Sequence, residues 1–252
     1  MKKLNLEKRN HYIDMIRGIS LISMILYHLF YDLVYVFNIN IDFYRLNNVK
    51  PWQLSICITF ILISGISFHF YKNHRKQGLI VFGLSLLISL ITYIFIPEEA
   101  VKFGVLSLIG ASIIIMDLLN KFLNKLNPYF GFVLFILLFL IFYNLPYGNL
   151  GISSIEILNI PDYIYKSKYL YPIGLPHEDF VSADYFPLFP WSFLFISGYF
   201  LGHILKRKNL LKPMGKNNII SAIGRHSLVV YLLHQPILYF GLFIIFEIII
   251  RR

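Results

Sequence analysis

Apolar residues run along this chain in long blocks divided by short polar stretches, covering approximately 13–37, 52–71, 79–96, 104–119, 129–145, 186–205 and 219–249. These lengths are near the ~20 helical residues that cross about 30 Å of hydrocarbon. In lipid, backbone N–H and C=O groups have to be satisfied inside the protein, which makes such blocks helices. The pattern predicts an all-α, polytopic transmembrane helical bundle of about seven spans, with no domain boundary over residues 1–252 and no transporter-like internal repeat.

Composition agrees: 57% of residues are hydrophobic and 14% charged, against roughly a quarter charged in soluble domains. The net charge of +10 sits in short clusters between the apolar blocks, not on one continuous polar face, which argues against a nucleic-acid partner. Counted on alternate sides, fifteen Lys and Arg fall with the N-terminus and seven on the opposite side. The positive-inside rule then predicts the N-terminus inside and the C-terminus outside. The first block is too long, too charged and too poor in small residues to be a cleavable signal. Cys57 stands alone, so it forms no intramolecular disulfide. No Cys/His spacing suits zinc and no P-loop or dinucleotide fingerprint occurs, so no metal is expected. The connection over 146–185, rich in Tyr, Pro and Gly, faces outward under this topology, and its length suits a lid or binding loop.

The first block breaks its own pattern. It carries Asp14, Arg17, His28 and Asp32. At ~100° per residue, the offset of 11 between Arg17 and His28 returns nearly to the same face, while Asp14 and Asp32 lie one turn beyond either end. The four share one stripe with Tyr31 and Tyr35. Each charge near the bilayer centre costs roughly 2.5–3.5 kcal/mol on insertion scales, so the stripe faces protein or a hydrated cavity. An Asp14–Arg17 pair at i,i+3 reduces that cost. In a structural reading, Asp14 and Arg17 anchor the helix near the interface and His28 bonds across the bundle. In a catalytic reading, His28 is a general base oriented by Asp32, and Arg17 binds an anion from the cytoplasm.

Arg17 and His28, with ten residues between them, resemble the R-x10-H signature of integral-membrane acyltransferases, many of which O-acetylate envelope sugars from a cytoplasmic donor. A fuller resemblance, over nearly the whole chain, is to the heparan-α-glucosaminide N-acetyltransferase catalytic-domain family and its short bacterial members. It rests on Phe60-Ile61-Leu62-Ile63-Ser64-Gly65-Ile66-Ser67, Phe103-Gly104-Val105-Leu106-Ser107-Leu108-Ile109-Gly110 and Asp184-Tyr185-Phe186-Pro187-Leu188-Phe189-Pro190-Trp191. It continues through Gly224-Arg225-His226-Ser227-Leu228, Tyr231 and His234-Gln235-Pro236. One departure stands out: no histidine lies between Asp32 and His69, where the lysosomal enzyme places its proposed catalytic histidine, and His28 falls where that enzyme has asparagine.

The resemblance implies a multi-pass protein of a bacterial cytoplasmic membrane, in contact with lipid. It implies transfer of acetyl from cytoplasmic acetyl-CoA to a sugar or glycan amine or hydroxyl on the other face. Arg17, Arg225, His226 and Ser227 would hold the donor, since basic groups and free N–H groups at a helix start favour phosphate; the alternative is ordinary positive-inside charge. His234 and Tyr231 would line the transfer cavity, beside the helix bond that Pro236 deletes; otherwise His234 is a core histidine satisfied across the bundle. Asp184 and Trp191 would meet the acceptor, or serve as an N-cap and an interfacial anchor. His69, His74 and His203, near span ends, need no function. The competing reading is a proton-coupled transporter or flippase using Asp14, His28, Asp32 and His234 as a relay. Outward-facing spans leave room for a homo-oligomer.

Overall fold

Helix α1 (His11–Tyr31) starts where Asn10 caps it, its side chain accepting from the Ile13 N–H at 3.2 Å. The same side chain donates to the Leu210 and Lys212 carbonyls at 2.7 and 3.0 Å, tying the start of α1 to the segment that precedes the last helices. α1 does not stop cleanly: residues Asp32–Val36 continue it as a π-helical turn closed by a Phe37 N–H to Asp32 O bond of 2.9 Å. Such widened turns are uncommon and concentrate at functional sites.

A computed structural model of the chain describes residues 9–45 and 49–246, with Arg45 described by its backbone alone. The positive-inside tally at Lys2, Lys3, Lys8, Arg251 and Arg252, and the end of the last apolar block, lie outside the described residues. Among the described residues, seven helices are long and apolar enough to cross a membrane: His11–Val36, Val49–Phe70, His74–Phe95, Val105–Leu123, Pro128–Tyr147, Leu188–Arg207 and Ser227–Phe246. The seven apolar blocks thus correspond to seven helices, with two boundary changes. The third helix begins at His74, because Asn73 caps it by accepting from the Lys76 N–H at 2.9 Å and draws four polar residues, His74 to Gln77, into the helix. The last block does not form one helix from 219.

Two compact units divide the chain, the first from Met1–Phe60 with Asn209–Arg252 and the second from Ile61–Lys208. In the first unit, α1 is followed by α2 (Asp42–Arg45) and by the opening part of α3 (Val49–Ser67). The indole of Trp52 donates to Ser23 Oγ at 2.7 Å, and the Ser20 hydroxyl to the Ile56 carbonyl at 3.2 Å, fixing α3 on α1.

In the second unit, α4 (His74–Phe95) packs on α5 (Val105–Leu123), and α6 (Pro128–Phe142) on α7 (Leu188–Arg207). Backbones approach closely where glycine removes the side chain. A Cβ on Gly65 would strike the Phe195 carbonyl, and one on Gly198 the Leu62 carbonyl. Contacts between small residues are how helices associate where lipid offers no hydrophobic drive.

The connection between α6 and α7 is folded. An antiparallel hairpin pairs β1 (Asn149–Ile152) with β2 (Ile155–Asn159), around a bulge between Leu150 and Gly151. Asn144 Nδ2 donates to the Ser153 carbonyl at 2.9 Å, and the hydroxyls of Tyr165 and Tyr185 donate to the Leu145 and Tyr171 carbonyls at 2.5 and 2.6 Å.

The first unit closes with α8 (Ile219–Arg225) and α9 (Ser227–Phe243), separated at His226. A capping box begins α8: the Asn218 side chain accepts from the Ser221 N–H at 2.8 Å while the Ser221 hydroxyl accepts from the Asn218 N–H at 3.0 Å. Gly18 and Gly224 let α8 lie directly on α1, since a Cβ on Gly18 would meet the Ile220 carbonyl and one on Gly224 the Asp14 carbonyl. This capped, glycine-docked turn is what interrupts the apolar block that begins at 219.

Candidate active site

His28 on α1, Asp32 in the π-helical turn that continues it, and His234 and Gln235 on α9 make the polar centre of the first unit. His28 faces His234, with ring centroids 5.0 Å apart at 56°. Four residues after His28, Asp32 opens the π-helical turn with 1% of its surface exposed. Both its carboxylate oxygens accept from Gln235 Nε2, at 2.9 and 3.2 Å. A charge buried in this way is costly unless hydrogen-bonded, and Gln235 supplies bonds from the residue next to His234. Asp32 is thereby held across the helix pair while His28 packs against a second histidine.

The His234 ring is fixed from behind. Its Nδ1 lies 2.6 Å from the Tyr231 carbonyl. A carbonyl only accepts, so Nδ1 carries the proton and Nε2 a lone pair. That Nε2 is buried and has no hydrogen-bond partner among the described residues, and the same holds for Gln235 Oε1. Tyr231 lies 5.5 Å from His234 and stacks on Phe60 at 6.1 Å, and Tyr27 meets the edge of His28 at 5.7 Å. Nε2 of His234 and Oε1 of Gln235, on consecutive residues of α9, are thus acceptors able to receive N–H or O–H donors.

A separate charge cluster occupies the start of α1. Asp14, 2% exposed, accepts from Arg9 Nε and Nη2 at 2.9 and 3.0 Å and from Arg17 Nη1 at 3.3 Å. Arg17 also donates to the Gly224 carbonyl at 3.3 Å, and Arg225 to Asn217 Oδ1 at 3.0 Å. The Asp14–Arg17 pair expected from the spacing is present. Arg9 is an addition: in the sequence it reads only as one positive-inside charge, and the spacing of five from Asp14 is not a helical pairing. His226 is exposed at the junction, and Ser227 opens α9. His28 lies eleven positions along the helix from Arg17, roughly 16 Å at 1.5 Å per residue.

Asp184 and Trp191 belong to the second unit. Asp184 Oδ2 accepts from the Val105 N–H at 3.0 Å, capping α5 rather than the helix that follows it in sequence. Trp191 is buried among Phe186, Phe139 and Tyr143, at centroid distances of 4.9, 5.3 and 6.2 Å. Beside Asp184, burial first and neighbouring tyrosines second push the Tyr185 hydroxyl well above its ordinary pKa, so it stays a proton donor. No group of three His, Cys, Asp or Glu suited to a metal occurs among the described residues.

Seven apolar helices, with half-buried histidines and a buried carboxylate on one helix pair, define an integral-membrane protein with an intramembrane polar site. The family model for heparan-alpha-glucosaminide N-acetyltransferase, catalytic, matches residues 9–236, and the chain belongs to that family. The match reaches from Arg9, at the charge cluster, to Pro236, just past His234 and Gln235. No curated protein and no solved structure matches the chain.

Proposed function

We propose that this protein is a membrane acetyltransferase moving an acetyl group from cytoplasmic acetyl-CoA to a sugar or glycan amine or hydroxyl on the opposite face. The observation that carries this reading is the buried polar centre on α1 and α9, with His28 against His234 and Gln235 on Asp32, in a chain of an acetyltransferase family. Arg17, Arg225, His226 and Ser227 bind the donor phosphates, with Asp14 setting the direction of the Arg17 guanidinium. The pantetheine arm then spans the helix length from Arg17 to His28.

At His28 the acceptor nitrogen or oxygen forms a bond to the acetyl carbonyl carbon, and the carbon–sulfur bond breaks. The acceptor's proton ends on the departing coenzyme A thiolate. His28 serves either by taking that proton in transit or by carrying the acetyl group between donor and acceptor. Asp32, reaching the centre through Gln235, keeps a negative charge near the imidazole that becomes cationic. Tyr231 and His234 line the acceptor side.

The test is purified protein in liposomes with labelled acetyl-CoA and a panel of amino sugars and glycans, compared with His28→Ala. Coenzyme A release in the wild type and its loss in the variant are expected; release unaffected by the substitution sinks the role of His28. A proton-coupled transporter draws on the same buried Asp32 and histidines. It gains if acetyl-CoA is neither bound nor turned over while sugar crosses the liposome membrane with a proton gradient.

A further inference from the structure

We infer that His234 is the proton acceptor of the transfer step, with Nε2 as its basic atom because the Tyr231 carbonyl holds the proton on Nδ1. This rests on the acetyltransferase reading above and assigns a role that the spacing within the first span does not reveal. Three observations carry it. The Nδ1 contact to the Tyr231 carbonyl is 2.6 Å, and that oxygen has no proton to give. Nε2 is buried without a partner among the described residues, so its lone pair is uncommitted. The ring faces His28 at 5.0 Å, which places the base beside the group assigned to the acetyl chemistry. An unpartnered buried ring nitrogen occurs at His203 as well; what sets His234 apart is that its free Nε2 comes with His28 in ring contact and with Gln235, the next residue, on the Asp32 carboxylate.

The acceptor N–H or O–H gives its proton to His234 Nε2 while its lone pair forms the bond to the acetyl carbon. The bond from the acetyl carbon to its carrier, coenzyme A sulfur or a His28 nitrogen, breaks with its electron pair going to the carrier. His234 is then an imidazolium whose Nδ1–H remains bonded to the Tyr231 carbonyl, and its Nε2–H returns the proton to the carrier. Base chemistry thus moves to His234, leaving His28 with the acetyl group. The Tyr231 carbonyl acts as a positioning group: it sets which nitrogen is basic.

His234→Asn tests this directly, because the asparagine amide nitrogen replaces Nδ1 and keeps the bond to Tyr231 while removing Nε2. With acetyl-CoA and glucosamine as probes, kcat should fall by about 100-fold or more, with KM for acetyl-CoA and the unfolding temperature little changed. The titratable groups around His234 are His28 across the helix pair, Asp32 behind Gln235, and Tyr231. The acidic limb of the wild-type kcat/KM profile should therefore become shallower in His234→Asn, where only His28 still has to be neutral, but keep its slope in Gln235→Ala, which leaves Nε2 in place. A His234→Asn enzyme with wild-type kcat and an intact acidic limb overturns the inference while leaving the acetyltransferase reading in force. Wild-type protein without acetyl-CoA turnover overturns that reading instead. Histidine 15N NMR of the wild type reads the tautomer with no turnover required: Nδ1–H at His234 is expected, and Nε2–H overturns the assignment.

Discussion

Each unit contains a pair of histidines in ring contact, and the two pairs differ in what surrounds them. In the first unit His28 and His234 lie 5.0 Å apart, well inside their spans. In the second, His69 and His203 lie 4.5 Å apart, near the ends of theirs. Each pair has one ring nitrogen on a backbone carbonyl, His234 Nδ1 on Tyr231 and His69 Nε2 on Tyr199, the latter at 3.0 Å. Each also has a buried Nε2 without a described partner, at His234 and His203.

The neighbours separate them. His69 stacks on the face of Tyr199 at 5.0 Å, in space that Gly202 leaves open, and the Tyr199 hydroxyl is bonded to the neutral side chains of Asn120 and Asn124. The residue after His234 instead holds the buried carboxylate of Asp32. An imidazole that cycles through its cation gains from a nearby negative charge. A histidine pair alone is therefore a weak sign of chemistry, and a carboxylate beside it is the stronger one.

The largest expected effect separates the two pairs outright. His28→Ala should lower acetyl-CoA turnover by about 10²–10⁴-fold, and His203→Ala should stay within a few-fold of wild type. Equal losses in a coenzyme A release assay would erase the distinction. Next in size is Gln235→Leu, which strips the described bonds from a buried carboxylate. Hydrogen bonds to charged groups contribute about 1.5–3 kcal/mol, so thermal unfolding should show a loss of that order. Turnover should drop with it, and an unchanged unfolding curve would mean that Asp32 does not depend on Gln235.

His69→Phe keeps the stack on Tyr199 and removes the bond to its carbonyl. It should cost about 1 kcal/mol in denaturant titration and leave kcat intact; a lost kcat would put the second pair into the chemistry. The smallest effect is at Asp184→Ala, where loss of the α5 cap should reduce stability by about 0.5–2 kcal/mol. KM for the acceptor, measured alongside, is expected to hold.

Much of this comparison was legible along the chain, but unevenly. The stripe on α1 follows from helical arithmetic, and Asp14 and Arg17 are paired as that arithmetic requires. The last apolar block misled because hydrophobicity continues across His226. Only the docking of Gly224 on the Asp14 carbonyl shows why α8 ends there. Asp184 reads as a cap for the helix it precedes, yet it caps α5, 79 residues earlier in the chain. Trp191 reads as an acceptor contact or an interfacial anchor and is buried among other aromatics.

By itself the sequence determined the seven apolar helices and the face that Asp14, Arg17, His28 and Asp32 share. Both follow from local rules: hydrocarbon thickness sets helix length, and the helical turn sets which residues project together. Tertiary structure alone decided that Asp32 belongs to Gln235, 203 residues away, that Arg9 joins Arg17 on Asp14, and that His234 offers Nε2 rather than Nδ1. Those outcomes depend on the rotation of one packed helix against another and on which carbonyl a ring nitrogen meets, and no local periodicity encodes either.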